Sequence, residues 1–424
     1  MKERHQGIKG RVAGDKLLAN NIKYYVLNGV LYTIVTNLYK PFAQKFIFRL
    51  EGSEFHVSLF NALPGMVAVF AIIPGIIFMS RAMSKKKVTG IFFFLSRLFV
   101  LSFAIVPFLP DQYKPMAFVL LAGFMNFPES VSTTALQNFA AEAFSEKDRA
   151  FAIASKNKYS ALISFISLLV LGQIIERLGT TDSRAIIIYQ LFFVAAFLLG
   201  IYEIAALMKI KENNAVKAER IDLRGSLTEI FRNKGFMKFM TCSLLFHFGW
   251  QMGWPLFSIY QIKYLGATEA WITISNVSSG IAMFMSYGFW ERLITKKGNC
   301  YAIALATTGM AATPIMYAWS PNLYVLTVAG IIMGFFTSGT TTTILSSLLE
   351  AAPEKNRLMY VAVHATLTNI TLSVAPLLGD FMLRHSNIYI SLYIVALARF
   401  IGSTAFFVRD RYNKTIVNQM NKAM

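Results

Sequence analysis

Charge is scarce in this chain: 15% of its 424 residues are charged, against about 25% in a soluble domain. Cysteine is scarcer still. Cys242 and Cys300 lie in or beside apolar stretches and build neither a disulfide framework nor a metal-ligand spacing. The five histidines form no cluster and the acids are scattered, which tells against catalysis by groups gathered at one membrane face. No Gly-x-x-x-x-Gly-Lys-Ser/Thr phosphate loop occurs, so an ATP-driven pump is disfavoured. Residues 1–20 are basic and lack a short apolar run before a small-residue cleavage site, so no signal peptide is expected there. Acidic residues number 22 against 41 Lys and Arg, a net charge of +19. In a soluble protein that excess suggests nucleic acid. Here the basic residues sit in short loops between apolar runs, which fits the anionic inner face of a membrane and not a nucleic-acid partner.

What the chain has in quantity is apolar surface. Hydrophobic residues make up 55%, Phe alone accounts for 37 positions, and the mean hydropathy is +0.50. No soluble core hides that much, so the bilayer is the natural solvent. A membrane span needs roughly 20 apolar residues. Twelve stretches qualify: 21–48, 55–80, 88–109, 114–140, 150–176, 185–208, 236–262, 270–291, 299–319, 322–348, 358–383 and 387–408. They are too long and too uniformly apolar for barrel strands. An all-α membrane protein is therefore expected. An even number of spans puts both termini on one side. Counted over loops and loop-proximal ends, that side carries 31 Lys and Arg and the other side seven. The positive-inside rule makes both termini cytoplasmic and points to the plasma membrane.

The chain repeats itself. Ala140–Lys158 reads AAEAFSEKDRAFAIASKNK and Leu348–Thr366 reads LLEAAPEKNRLMYVAVHAT. Aligned, Glu142 falls on Glu350, Glu146 on Glu354, Lys147 on Lys355, Arg149 on Arg357 and Ala154 on Ala362. Asn37, Lys40 and Pro41 fall on Gln251, Trp254 and Pro255, and Glu54, Asn61 and Gly65 on Glu269, Asn276 and Gly280. Arg81–Lys87 echoes Arg292–Gly298, and Ala122-Gly123 echoes Ala329-Gly330. Blocks recurring in one order indicate duplication, here as two parallel six-span repeats. The expected division is a cytoplasmic segment 1–20, a bundle 21–208, a linker 209–235, a second bundle 236–408 and a tail 409–424. Within the linker, Leu223–Phe231 is either a short amphipathic helix on the membrane surface or part of a solvated connection.

In these features the chain resembles the Major Facilitator Superfamily, over nearly its whole length. Members carry a hinge motif after the second span, glycine–x–x–x–Asp–Arg–x–Gly–Arg–Lys/Arg. Glu291-Arg292 with Lys296 and Lys297 matches its acid–Arg–basic core. The first half departs from it, since Ser80-Arg81 has no acid and Met83 replaces the second glycine. The resemblance implies that Arg81, Glu142, Arg149, Glu291, Arg292, Glu350 and Arg357 form a cytoplasmic gate; the alternative is solvated loop charge. It also implies that spans one, four, seven and ten line a central cavity.

Ionisable groups at bilayer depth are costly and tend to mark function. Glu129, in Asn126-Phe-Pro-Glu-Ser130, lies midway along span four beside Pro128, which removes a backbone donor and can kink or break the helix. It is the first candidate for proton coupling or cation binding; alternatively it is neutralised by a neighbouring cation and ties helices together. Asn126 shares that turn. In span seven His247, Trp250, Gln251 and Trp254 share one helical face. His247 is either part of that site or a core histidine bonded to a carbonyl. The matching part of span one offers Tyr32, Asn37 and Lys40, where Lys40 binds ligand or snorkels to the outer surface. Arg97 and Arg399 sit mid-span and are expected to turn inward onto carboxylates or carbonyls, with Glu129 a partner for Arg97. His364 reads as structural.

The expected function is secondary transport of a small solute by alternating access, coupled to protons. The substrate is either an amphiphilic drug-like compound, exported, or a small organic anion. A non-transporting sensor or chaperone of the same fold and a membrane-embedded lipid-modifying enzyme are the alternatives. No cofactor or metal is implied. The partners are the solute, protons and the bilayer, and the protein is expected to be a monomer.

Overall fold

The computed structural model describes residues 2–81, 84–144, 146–211, 223–353 and 357–423. Among them every regular element is a helix. Within lipid, a helix satisfies every backbone N–H and C=O inside its own segment, which is why uniformly apolar runs take this form. The first half contains α1 (Lys2–Asn37), α2 (Ala43–Arg49), α3 (Glu54–Arg81), α4 (Lys85–Phe103), α5 (Lys114–Ala143), α6 (Glu146–Leu178) and α7 (Asp182–Met208). A short α8 (Leu223–Arg232) precedes α9 (Lys234–Ile259), α10 (Glu269–Lys297), α11 (Asn299–Ala311), α12 (Thr313–Ala318), α13 (Leu323–Ala351), α14 (Arg357–His385) and α15 (Ile388–Ala423). Several starts are set by side-chain caps. Ser84, Thr181, Asn233, Thr268 and Asn322 each accept a bond from the backbone N–H three residues on, worth about 1 kcal/mol apiece.

Two of the expected spans are interrupted. Span one ends as α1 at Asn37, turns through Leu38–Phe42 and resumes as α2. Pro41 lacks an N–H and disfavours helical backbone in the residue before it. Span nine splits at Ala312 into α11 and α12, with Pro314 at the new start. Pro255 stays inside α9, which runs on into a wider π turn at Tyr260–Tyr264. Pro128 likewise stays inside an unbroken α5, so no helix break opens beside Glu129. Seven helices among the described residues are long and apolar enough to cross a membrane on those grounds alone. The other spans are interrupted or more polar; α10, for example, carries Ser275, Asn276, Ser278 and Ser279. Leu223–Arg232 is helical and buries Ile230.

The chain divides into two compact units, residues 1–50 with 70–221 and residues 51–69 with 222–424. Both use one packing scheme. In the first, α1 lies on α6 and α7, and α4 on α5 and α7. In the second, α9 lies on α14 and α15, and α11 on α13 and α15. These are the same spans in each repeat. The first unit holds an aromatic core of Phe46, Phe103, Phe118, Tyr189 and Phe193. The start of α3 belongs to the second unit. There Glu54 pairs with Lys263 at 2.9 Å, and Arg384 lies over the Phe55 ring.

Candidate functional site

Inside the first unit, α4, α5 and α7 bring three mid-span charges together. The Arg97 guanidinium of α4 is fully buried. Its Nε and Nη2 donate to Glu203 Oε2 of α7 at 3.1 and 2.9 Å. Its Nη1 donates to Glu129 Oε2 of α5 at 3.2 Å. Ser96 donates its hydroxyl to the same Glu129 oxygen. The Arg97 guanidinium also stands 5.5 Å from the ring centres of Tyr32 and Phe93. Tyr32 faces Glu129 as well. A buried charge survives only when paired and hydrogen-bonded, and here one cation serves two carboxylates. The Oε1 atoms of Glu129 and Glu203 are buried and have no hydrogen-bond partner among the described residues. The three charges together carry one negative charge in excess.

Glu203 was not among the sequence candidates. Its signal was an acid within an apolar run, but it sits only five residues before the end of α7 at Met208, where charge is common. Lys156 was masked in the same way, counted with the basic ends. Its ammonium lies 5.1 Å from the Tyr25 ring centre, and its stem lies against Gly29.

The remaining candidates of this unit separate. Asn37 is buried and spends its amide on α6, donating to the Ser164 carbonyl and to the hydroxyls of Ser164 and Ser167 at 2.8–3.2 Å. Asn126 donates back to the Ala122 carbonyl of its own helix at 2.8 Å. Lys40 is exposed, in the turn between α1 and α2. These three do not join the charge cluster.

In the second unit His247, Trp250 and Trp254 form a row on α9, with ring centres 5.5 and 6.2 Å apart. Gln251 departs from that face. It is buried against α14, donating to the Thr368 carbonyl at 3.2 Å and accepting from the Thr371 hydroxyl at 2.6 Å. It thereby plays in this repeat the part that Asn37 plays in the other. The Nδ1 of His247 lies 2.8 Å from the Ser243 carbonyl, which can only accept, so this nitrogen carries the proton. The Ser243 hydroxyl meets His364 Nε2 at 2.9 Å. Arg399 of α15 is fully buried and donates to the carbonyls of Gly249, Trp250 and Met310 at 2.9–3.2 Å, with Phe257 beneath it. Among the described residues no carboxylate pairs with it. A concave space of about 820 Å³ beside α8 is lined by Glu229, Arg232, Asn233 and Tyr360 and lies apart from these groups.

Of the gate candidates, Arg81 and Glu142 lie on α3 and α5, but their side chains fall outside what is described, as do Glu354 and Lys355 altogether. Glu291, Arg292, Glu350 and Arg357 are exposed, and Glu350 accepts from the Asn299 amide at 2.8 Å. Arg149 is half-buried near the start of α6.

The sequence profile of the Major Facilitator Superfamily matches residues 24–305 and 239–422. No curated protein matches the chain by sequence. Among solved structures, a point mutant of the nucleoside transporter NupG superposes with a TM-score of 0.73 at 11% identity, covering 92% of this chain and 99% of that one. Unmutated NupG gives 0.70 at 12%, covering 92% and 98%. At such identities the likeness shows the fold, a polytopic membrane bundle of twelve helices. With the profile spanning nearly all of the sequence, the chain belongs to the Major Facilitator Superfamily.

Proposed function

We propose that this protein is a proton-coupled secondary transporter of a small solute, working by alternating access, with Glu129 as the group that exchanges the proton. The observation that carries the reading is the excess negative charge on Arg97, Glu129 and Glu203. A proton on one carboxylate brings the cluster to neutrality inside an apolar bundle, where net charge is costly. Glu129 keeps 14% of its side chain exposed while Glu203 keeps none, so Glu129 is the more accessible of the two.

The cations suited to an anionic solute stand elsewhere: Lys40 is exposed in the turn after α1, Arg97 lies on carboxylates and Arg399 on carbonyls. Trp250, Trp254 and His247 offer ring faces instead, which favours an uncharged solute with a flat apolar part. A nucleoside, the cargo in the name of the two similar structures, is the first compound to try. In this reading the protein is a monomer in the plasma membrane with both termini cytoplasmic. Arg149 and Arg357 belong to its cytoplasmic gate. Reversing their charge shifts the balance of conformations and leaves solute binding intact.

The experiment is uptake into proteoliposomes under an imposed pH gradient, with radiolabelled uridine first and a panel of neutral aromatic solutes after it. Glu129→Gln should abolish gradient-driven accumulation while solute exchange without a gradient continues. Accumulation undiminished in that variant would refute the coupling role.

A further inference from the structure

Two carboxylates meet Arg97, and they meet it unequally. Glu203 is completely buried and takes two guanidinium bonds on one oxygen, at 3.1 and 2.9 Å. Glu129 takes a single bond at 3.2 Å and is partly exposed. The helix that carries Glu203 is shaped for the arginine. A methyl on Gly200, three residues earlier, would stand 2.7 Å from both Cγ and Cδ of Arg97. Glycine therefore lets the arginine stem lie flush on α7. Asn28 of α1 fastens the same stretch, donating to the Glu203 carbonyl at 3.0 Å. The other titratable groups acting on the carboxylates are Tyr32 and Tyr39 of α1 and Lys156 of α6. Lys156 makes no ion pair with Glu203 within 4 Å among the described residues; it acts from further away, beside Tyr25.

We infer that Glu203 is a positioning residue for proton exchange: it holds Arg97 permanently, and so leaves Glu129 as the carboxylate that can let go. This rests on the reading of Glu129 given above. With both acids ionised, the three charges sum to one negative. A proton from water bonds to a Glu129 oxygen, Arg97 remains on Glu203, and the cluster becomes neutral. Release returns the proton to water and restores the Glu129 contact. Once Glu203 is uncharged, Arg97 and Glu129 balance each other, and no excess charge remains to draw a proton in. A residue that merely held helices together would not govern whether a different residue titrates.

The test is infrared difference spectroscopy of the purified full-length protein between acidic and alkaline buffers, reading the C=O stretch of protonated carboxyl groups. The proton is the probe, so no solute is needed. The wild type should show a component that Glu129→Gln removes, and Glu203→Gln, checked for folding by thermal unfolding and size exclusion, should remove it too. If Glu129→Gln leaves the spectrum unchanged, the reading of Glu129 fails and this inference falls with it. If Glu129→Gln removes the component and Glu203→Gln keeps it, the positioning role alone is overturned. Should Glu203→Gln not fold, Gly200→Ala keeps every charge and displaces the Arg97 stem. The component must then titrate at a different pH from wild type, and an unshifted titration overturns the inference.

Discussion

Arg97 and Arg399 are the same residue type, both mid-span and both fully buried, yet replacing each by Met should have different consequences. Arg97→Met strands two carboxylates, one of them without any exposure. Removing one partner of a buried pair costs about 3–5 kcal/mol. Arg399→Met strands no opposite charge. Its acceptors are carbonyls on helices, and Gly249 and Trp250 have an in-helix donor four residues on. What is lost is three bonds between helices, together about 2 kcal/mol at the average of about 0.6 each in membrane proteins. What is removed is a charge that costs about 2.5–3.5 kcal/mol at mid-span on insertion scales. The two nearly cancel, leaving a change within about 1.5 kcal/mol of zero. Reversible unfolding of the purified protein in mixed micelles, followed by circular dichroism, measures both. The reasoning is refuted if Arg399→Met destabilises as much as Arg97→Met, because Arg399 would then have to neutralise an acid.

Further outcomes follow from the same contacts. Asn37→Ala and Gln251→Ala each remove an amide clamp between helices and should each cost about 1–2 kcal/mol; the same unfolding assay checks them, and no loss from either would show the clamps to be idle. Gly65→Ala puts a methyl 2.7–2.8 Å from the Asn369 carbonyl, Leu372 and Ser373 of α14, and overpacking of that kind costs about 1–3 kcal/mol. Gly330→Ala meets open space and should gain up to about 1 kcal/mol from helix propensity; equal effects from the two glycines would contradict the packing described. If a nucleoside stacks on the α9 row, Trp250→Ala or Trp254→Ala should weaken its binding by about 1–3 kcal/mol, measured by calorimetry, and an unchanged Kd in both would remove the row from the site.

Much of the site was legible as chemistry and illegible as geometry. Glu129, Arg97 and Arg399 stood out because charge within apolar runs is rare, and Arg97 does meet Glu129. Glu203 and Lys156 did not stand out, because nearness to a helix end disguises a buried charge as a solvated one. Gln251 follows His247 at helical spacing, but its amide turns to Thr368 and Thr371 on α14. Spacing along one helix cannot say which neighbour a face will meet. Pro128 leaves α5 unbroken for a related reason, since one missing N–H does not break a helix that packs along a neighbour, here α4.

The sequence by itself determined that this is a membrane protein of helices, duplicated, with its charges confined to helix ends and a few interior points. Hydropathy and self-similarity are properties of the chain order, and the bilayer admits few other solutions. Only the tertiary structure decided that Arg97 is shared between two acids while Arg399 has none among the described residues. Those pairings join residues up to 150 positions apart. They depend on which helices touch, and on where a glycine such as Gly200 lets an arginine stem lie flat.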